Sequence, residues 1–142
     1  MNEELEKEFY FLRNFVIEDY VNLRIERIIA CEELNTKNIV FVYLKAIGSN
    51  WQKYFLDAGA GFWEDTKTTD YYKLDDNEDD GKFVFKDYTK EFNIENKTIS
   101  KIYCEPNDDN CRIIIELGEN EKIILRCKKS KIFDSEAEIV KM

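Results

Sequence analysis

The chain has 142 residues, 44% of them hydrophobic and 14% aromatic, and its 30 acidic residues outnumber its 21 basic ones for a net charge of −9. That is enough apolar material for one domain with one core and too much for a wholly disordered chain. The negative sign argues against direct contact with nucleic acid, which needs a positive face for phosphate, and the absence of histidine removes Ser-His-Asp and Cys-His nucleophile arrangements, histidine bases and the commonest metal ligand.

The opening "MNEELEKE" is acidic and lacks the basic and apolar regions of an export signal, so a cytoplasmic protein is expected. The longest apolar run, Ile39 to Leu44, falls far short of the roughly 20 residues that span a bilayer. Leu5, Phe9, Leu12 and Val16 recur at helical spacing, with Glu3, Glu4 and Glu6 near the positive end of a helix dipole. This predicts a helix over residues 3–15.

In residues 21–34, "VNLRIERIIACEEL", Val21, Leu23 and Ile25 alternate as in a strand, while Ile25, Ile28 and Ile29 also fit a helical face. The β-branched content favours a strand. "NTKN" predicts a turn, and residues 39–47, apolar on both faces, a central strand. "GSN" turns the chain into "WQKYFL", the second strand of a hairpin. "DAGAG", Asp57 to Gly61, predicts a loop whose glycines serve unusual backbone angles or a close approach. It leads into Phe62, Trp63 and Glu64. "YYKL" and "KFVF" then flank an acidic run as a second hairpin.

Residues 98–104, 111–117 and 121–127 predict a three-stranded antiparallel meander, with "EPNDDN" and "GEN" as turns. A three-residue loop, Gly118 to Asn120, sets Ile115 opposite Ile123, Ile113 opposite Leu125, Glu116 opposite Lys122 and Cys111 opposite Cys127, with Asn120 in the left-handed position. Arg112 then faces Arg126, tolerable where both are exposed. A slip of one residue would set apolar positions against polar ones. The fold class expected is α+β: a single domain over residues 1–142, with an N-terminal helix packed on a mostly antiparallel sheet of about six to eight strands that ends in the meander.

Five of the six residues from Asp75 to Asp80 are acidic. Counted from Asp76 as a calcium loop, they offer Asp76, Glu78 and Asp80 at the first, third and fifth positions, Gly81 at the sixth, Phe83 at the eighth and Asp87 at the twelfth. The short final aspartate, the bulky Glu78 and the strand-like flanks depart from that pattern. Asp75, Asp76, Glu78, Asp79 and Asp80 fit a solvated hairpin tip or a contact surface for a basic partner. Asp108 and Asp109 belong to a second acidic loop of the same kind. "DAGAG" lacks the Gly-x-Gly-x-x-Gly and Lys-Ser/Thr spacings of phosphate loops, and Asp57, Glu64 and Asp65 would repel phosphate. Phe62 and Trp63 beside Glu64 read either as core or as the aromatic anchor of an interface. A pair of carboxylates at glycosidase distance is guaranteed among 30 acidic residues and carries no information. No enzymatic activity and no cofactor are expected. Cys31, Cys104, Cys111 and Cys127 form no Cys-x-x-Cys and read as free thiols, with Cys104 and Cys111 as two buried thiols rather than a disulfide.

In size, charge, Lys/Asn/Ile-rich composition and lack of a catalytic set, the chain resembles the small acidic immunity proteins of bacterial toxin–immunity pairs, including contact-dependent and polymorphic toxin systems. The resemblance implies an inhibitor that occludes the active site of a cognate basic toxin or nuclease domain. It implies a monomer or weak dimer, without membrane or direct nucleic-acid contact. A nucleic-acid mimic acting on another nuclease, and a small-ligand or calcium-binding module, are the alternatives.

Overall fold

All regular secondary structure among the described residues is β-strand in the computed structural model, which describes residues 9–12, 15–57, 60–69, 82–107, 110–127 and 136–142. The strands are β1 (Phe9–Leu12), β2 (Phe15–Ile17), β3 (Ile25–Glu33), β4 (Ile39–Ala46), β5 (Trp51–Asp57), β6 (Ala60–Asp65), β7 (Phe83–Asp87), β8 (Lys101–Asn107), β9 (Asn110–Glu116), β10 (Lys122–Cys127) and β11 (Ala137–Lys141). They form two antiparallel sheets. Sheet A has six strands in the order β1-β6-β5-β4-β3-β7, and sheet B has five in the order β11-β10-β9-β8-β2.

The expected α+β class is therefore corrected to all-β among the described residues, and where the expected N-terminal helix falls on them, at residues 9–12 and 15, the chain is strand. Residues 9–12 pair with β6, and residues 15–17 pair with β8. The helical stripe took Leu12 and Val16 as neighbours on one face. In fact Val16 is 54% exposed and its neighbour Ile17 is buried, the period-two pattern of a strand. Aromatic and β-branched residues fill "FYFL" and "FVI", and two sheet edges offer them backbone partners that no lone helix would have. The single sheet expected is also two sheets.

Smaller corrections follow from the same pairing. Val21 to Leu23 lie in a turn, so β3 starts at Ile25. The strand expected from residue 98 starts at Lys101, and Thr98 makes only an isolated bridge with Arg24. Gly61 is not in a loop: it belongs to β6, opposite Leu56. "FVF" does form a strand, but β7 pairs with β3, and "YYKL" lies outside the described residues. "EPNDDN" is mostly strand, with Pro106 opposite Cys111 and Asn107 opposite Asn110. Pro106 lacks a backbone N–H, and it sits beyond the last β2 pairing, Phe15 with Cys104, where no ladder bond is lost.

The meander register holds as expected: Ile115 pairs with Ile123, Ile113 with Leu125, Glu116 with Lys122 and Arg112 with Arg126. The left-handed residue of its loop is Gly118, with φ +84°, rather than Asn120. Glycine meets that conformation without a Cβ penalty.

Facing rows of the two sheets share one core. Ile28, Ala30, Val42, Leu44 and Tyr54 of sheet A meet Ile102, Cys104, Ile113, Ile115, Ile123 and Leu125 of sheet B. Two features tie the sheets together. The chain passes from β1 in sheet A to β2 in sheet B with only residues 13 and 14 between. At another place, Asn38 Oδ1 accepts the Ala137 N–H of β11 at 2.6 Å, while its Nδ2 donates to Glu33 Oε1 at 2.9 Å.

Candidate functional site

Alternation along sheet A divides its side chains sharply. Val42, Leu44, Tyr54 and Trp63 face sheet B, so Phe41, Tyr43, Lys53, Phe55, Phe62 and Glu64 face outward. Outward-facing Ile29, Tyr43 and Trp51 form a second, smaller apolar cluster, with Phe41 and Phe85 packed against it. The aromatic side chains continue across the face. Phe41 meets Phe55 edge-to-face at 5.5 Å, and Phe55 stacks on Phe62 at 4.6 Å with ring planes 1° apart. Tyr43 lies 6.3 Å from both Phe41 and Phe85. Each of these geometries lies within the favourable range for aromatic pairs.

Charged groups punctuate this face. Lys53 Nζ lies 3.8 Å from the Phe41 ring centroid and 6.0 Å from those of Tyr43 and Phe55, a cation–π arrangement. Arg27 pairs with Asp87 at 3.1 Å, and Lys45 with Glu26 at 3.5 Å. Burial pushes the Asp87 carboxyl up, but hydrogen bonds from the Thr89 hydroxyl and N–H, together with Arg27, outweigh it and hold the group below its ordinary range. Asp87 is thus engaged by Arg27 and Thr89, although the calcium reading needs it as the twelfth-position ligand. Among the described residues, no group of three or more His, Cys, Asp or Glu is arranged to hold a metal ion.

The sequence-predicted site residues fall in three places. Phe62 and Glu64 stand on the outer face of β6. Trp63, between them, points the other way and packs against the core. The three cannot act as one contiguous patch. Asp75, Asp76, Glu78, Asp79, Asp80, Asp108 and Asp109 lie outside the described residues. Sequence reasoning missed Phe41, Lys53, Phe55 and Phe85. A signal was available: Phe41, Tyr43, Lys53 and Phe55 alternate with Val42, Leu44 and Tyr54 at strand period, but "IVFVYL" has no polar residue to mark which face is outward.

Two kinds of buried polar group lie between the sheets. Tyr54 is 1% exposed, its hydroxyl has no hydrogen-bond partner among the described residues, and its pKa stands well above the ordinary value because burial disfavours the phenolate. It borders an interior void of about 10 Å³ lined otherwise by Val42, Ile113, Ile115, Ile123, Leu125 and Ile139. A void of that size has room for one water molecule at most. Cys104 and Cys111 are buried thiols, diagonal to one another across β8 and β9. Burial, then the adjacent Cys111, pushes the Cys104 thiol up to about 12. A hydrogen bond with the Gly61 backbone partly offsets that rise.

No helix among the described residues is long and apolar enough to cross a membrane. No family model, curated protein or solved structure matches the chain.

Proposed function

We propose that the protein is a non-enzymatic, protein-binding inhibitor of the immunity type, acting by occluding the working surface of a basic partner such as a toxin nuclease domain. One observation carries the reading: sheet A holds an aromatic row on the face turned away from the core, set in a chain of net charge −9. Half-buried aromatic rings on a rigid sheet supply contact area at low entropic cost, and the acidic field speeds encounter with a basic surface. Occlusion needs no reacting group. The calcium reading has no comparable support, since Asp87 is committed elsewhere, and the interior void is too small for an organic ligand.

The test is affinity capture of the tagged protein from its native host at low and high salt with nuclease treatment. Each captured protein is then purified alone and assayed with and without this chain. The expected result is a basic partner whose activity falls to background at one equivalent. A partner that stays fully active when saturated, or no stoichiometric partner at either salt, overturns the proposal.

A further inference from the structure

We propose that the β5–β6 part of the outer face of sheet A docks a partner segment that presents an arginine or lysine between apolar side chains, with Glu64 as the carboxylate that receives the cation. This rests on the binding role above and adds its place and chemistry.

Lys53 and Glu64 stand directly opposite one another in the β5–β6 register. Opposite charges in that position ordinarily pair. Here Lys53 leans the other way, toward β4, and covers the Phe41 ring at 3.8 Å. Glu64 is left half-buried at the end of the aromatic row, without a hydrogen bond or ion pair among the described residues. Elsewhere on this face opposite charges do pair, Arg27 with Asp87 and Lys45 with Glu26. A carboxylate beside apolar rings has lost part of its hydration, and a cation brought by a partner restores the balance.

The rings define what accompanies that cation. Phe55 and Phe62 use their faces on each other, and Lys53 covers a face of Phe41. One face of each of these rings is thus already occupied, and the apolar strip that they make suits apolar side chains. The complementary ligand is a peptide strand with a basic residue flanked by leucine-like groups.

The probes are two synthetic peptides, Ac-Leu-Arg-Leu-Arg-Leu-NH2 and its glutamate counterpart, titrated into the ¹⁵N-labelled full chain and followed by backbone amide shifts. The arginine peptide is expected to move the amides of Phe55, Phe62 and Glu64, and the glutamate peptide to move none. Glu64→Gln, which preserves shape, is expected to weaken binding about tenfold, and Phe62→Leu to weaken it without removing the charge dependence. Spectra of both variants without peptide report whether the fold is intact. Shifts confined to other surfaces, or unchanged affinity in Glu64→Gln, overturn the assignment to Glu64 and leave the binding role standing. No response to the arginine peptide overturns this site. The role itself then falls only if the captured-partner experiment also fails.

Discussion

Tyr54 carries a phenol into a core of branched aliphatic side chains, where its hydroxyl finds no partner among the described residues. A buried hydroxyl in that state costs stability that its ring does not need, so Tyr54→Phe is expected to leave the melting temperature unchanged or raise it by the equivalent of about 1 kcal/mol. A loss of 2 kcal/mol or more in denaturant titration would show that the hydroxyl is bonded in solution, through a water in the adjoining void. Cys104 gives a second residue-level expectation. Only the thiolate reacts, and burial has moved this thiol up to about 12. Maleimide at neutral pH should label Cys127, which is partly exposed, and reach Cys104 and Cys111 only after denaturation. Mass spectrometry of the labelled, digested chain reads this directly. The burial of both thiols was legible in the sequence, because each sits at a strand position where a small apolar side chain belongs. The orientation of Trp63 was not, since "GFWED" has no alternation strong enough to assign a face.

The strands of sheet B show how registers survive an apparent conflict. Arg112 and Arg126 face one another, yet each has a carboxylate on its other side, Glu105 from β8 and Glu138 from β11. The row reads acid, base, base, acid across four strands. Glu138→Gln should cost at most about 1 kcal/mol, less in high salt, because the pair is about a third exposed. Asn38 is a stronger case, since one amide serves both sheets. Asn38→Ala leaves the Ala137 N–H without that acceptor and is expected to cost about 1–3 kcal/mol by chemical denaturation, with little salt dependence. The meander pairing was readable from sequence because adjacent strands, a three-residue loop and alternating isoleucines all demanded one register. The N-terminal strands were not readable. Their partners β6 and β8 lie tens of residues away, and local spacing alone favoured a helix.

For the whole molecule, composition correctly anticipated an acidic chain with a real core, but it could not tell one sheet from two, since both satisfy the same alternation. The lack of histidine sets the pH response. Asp87 and Glu121, the latter drawn down by hydrogen bonds from Lys141 and Lys97, ionise more easily when folded. Their contribution is present above the ordinary values of 3.8 and 4.5 and is lost as pH falls below them. Tyr20, Tyr54 and Tyr88 are raised mainly by burial, as is Cys104, so the unfolded chain releases these protons first. That contribution is complete below the ordinary values of 9.0 and 10.0 and is lost as pH rises past them. The melting temperature should therefore be flat from about pH 6 to 8 and fall on both sides. A step between pH 6 and 7 in scanning calorimetry would contradict this account.

The short passage from β1 to β2 has a consequence for synthesis. Both strands are translated before their partners: β1 must wait for Gly61 to Glu64 and β2 for Ile102 to Cys104 before each has a backbone to pair with. During that interval "FYFL" and "FVI" are unpaired strand-formers on a growing chain, while the β3–β6 run can already fold locally. β1 can be seated once β6 is made, but β2, which follows it in the chain, stays an unpaired strand-former until translation has reached β8.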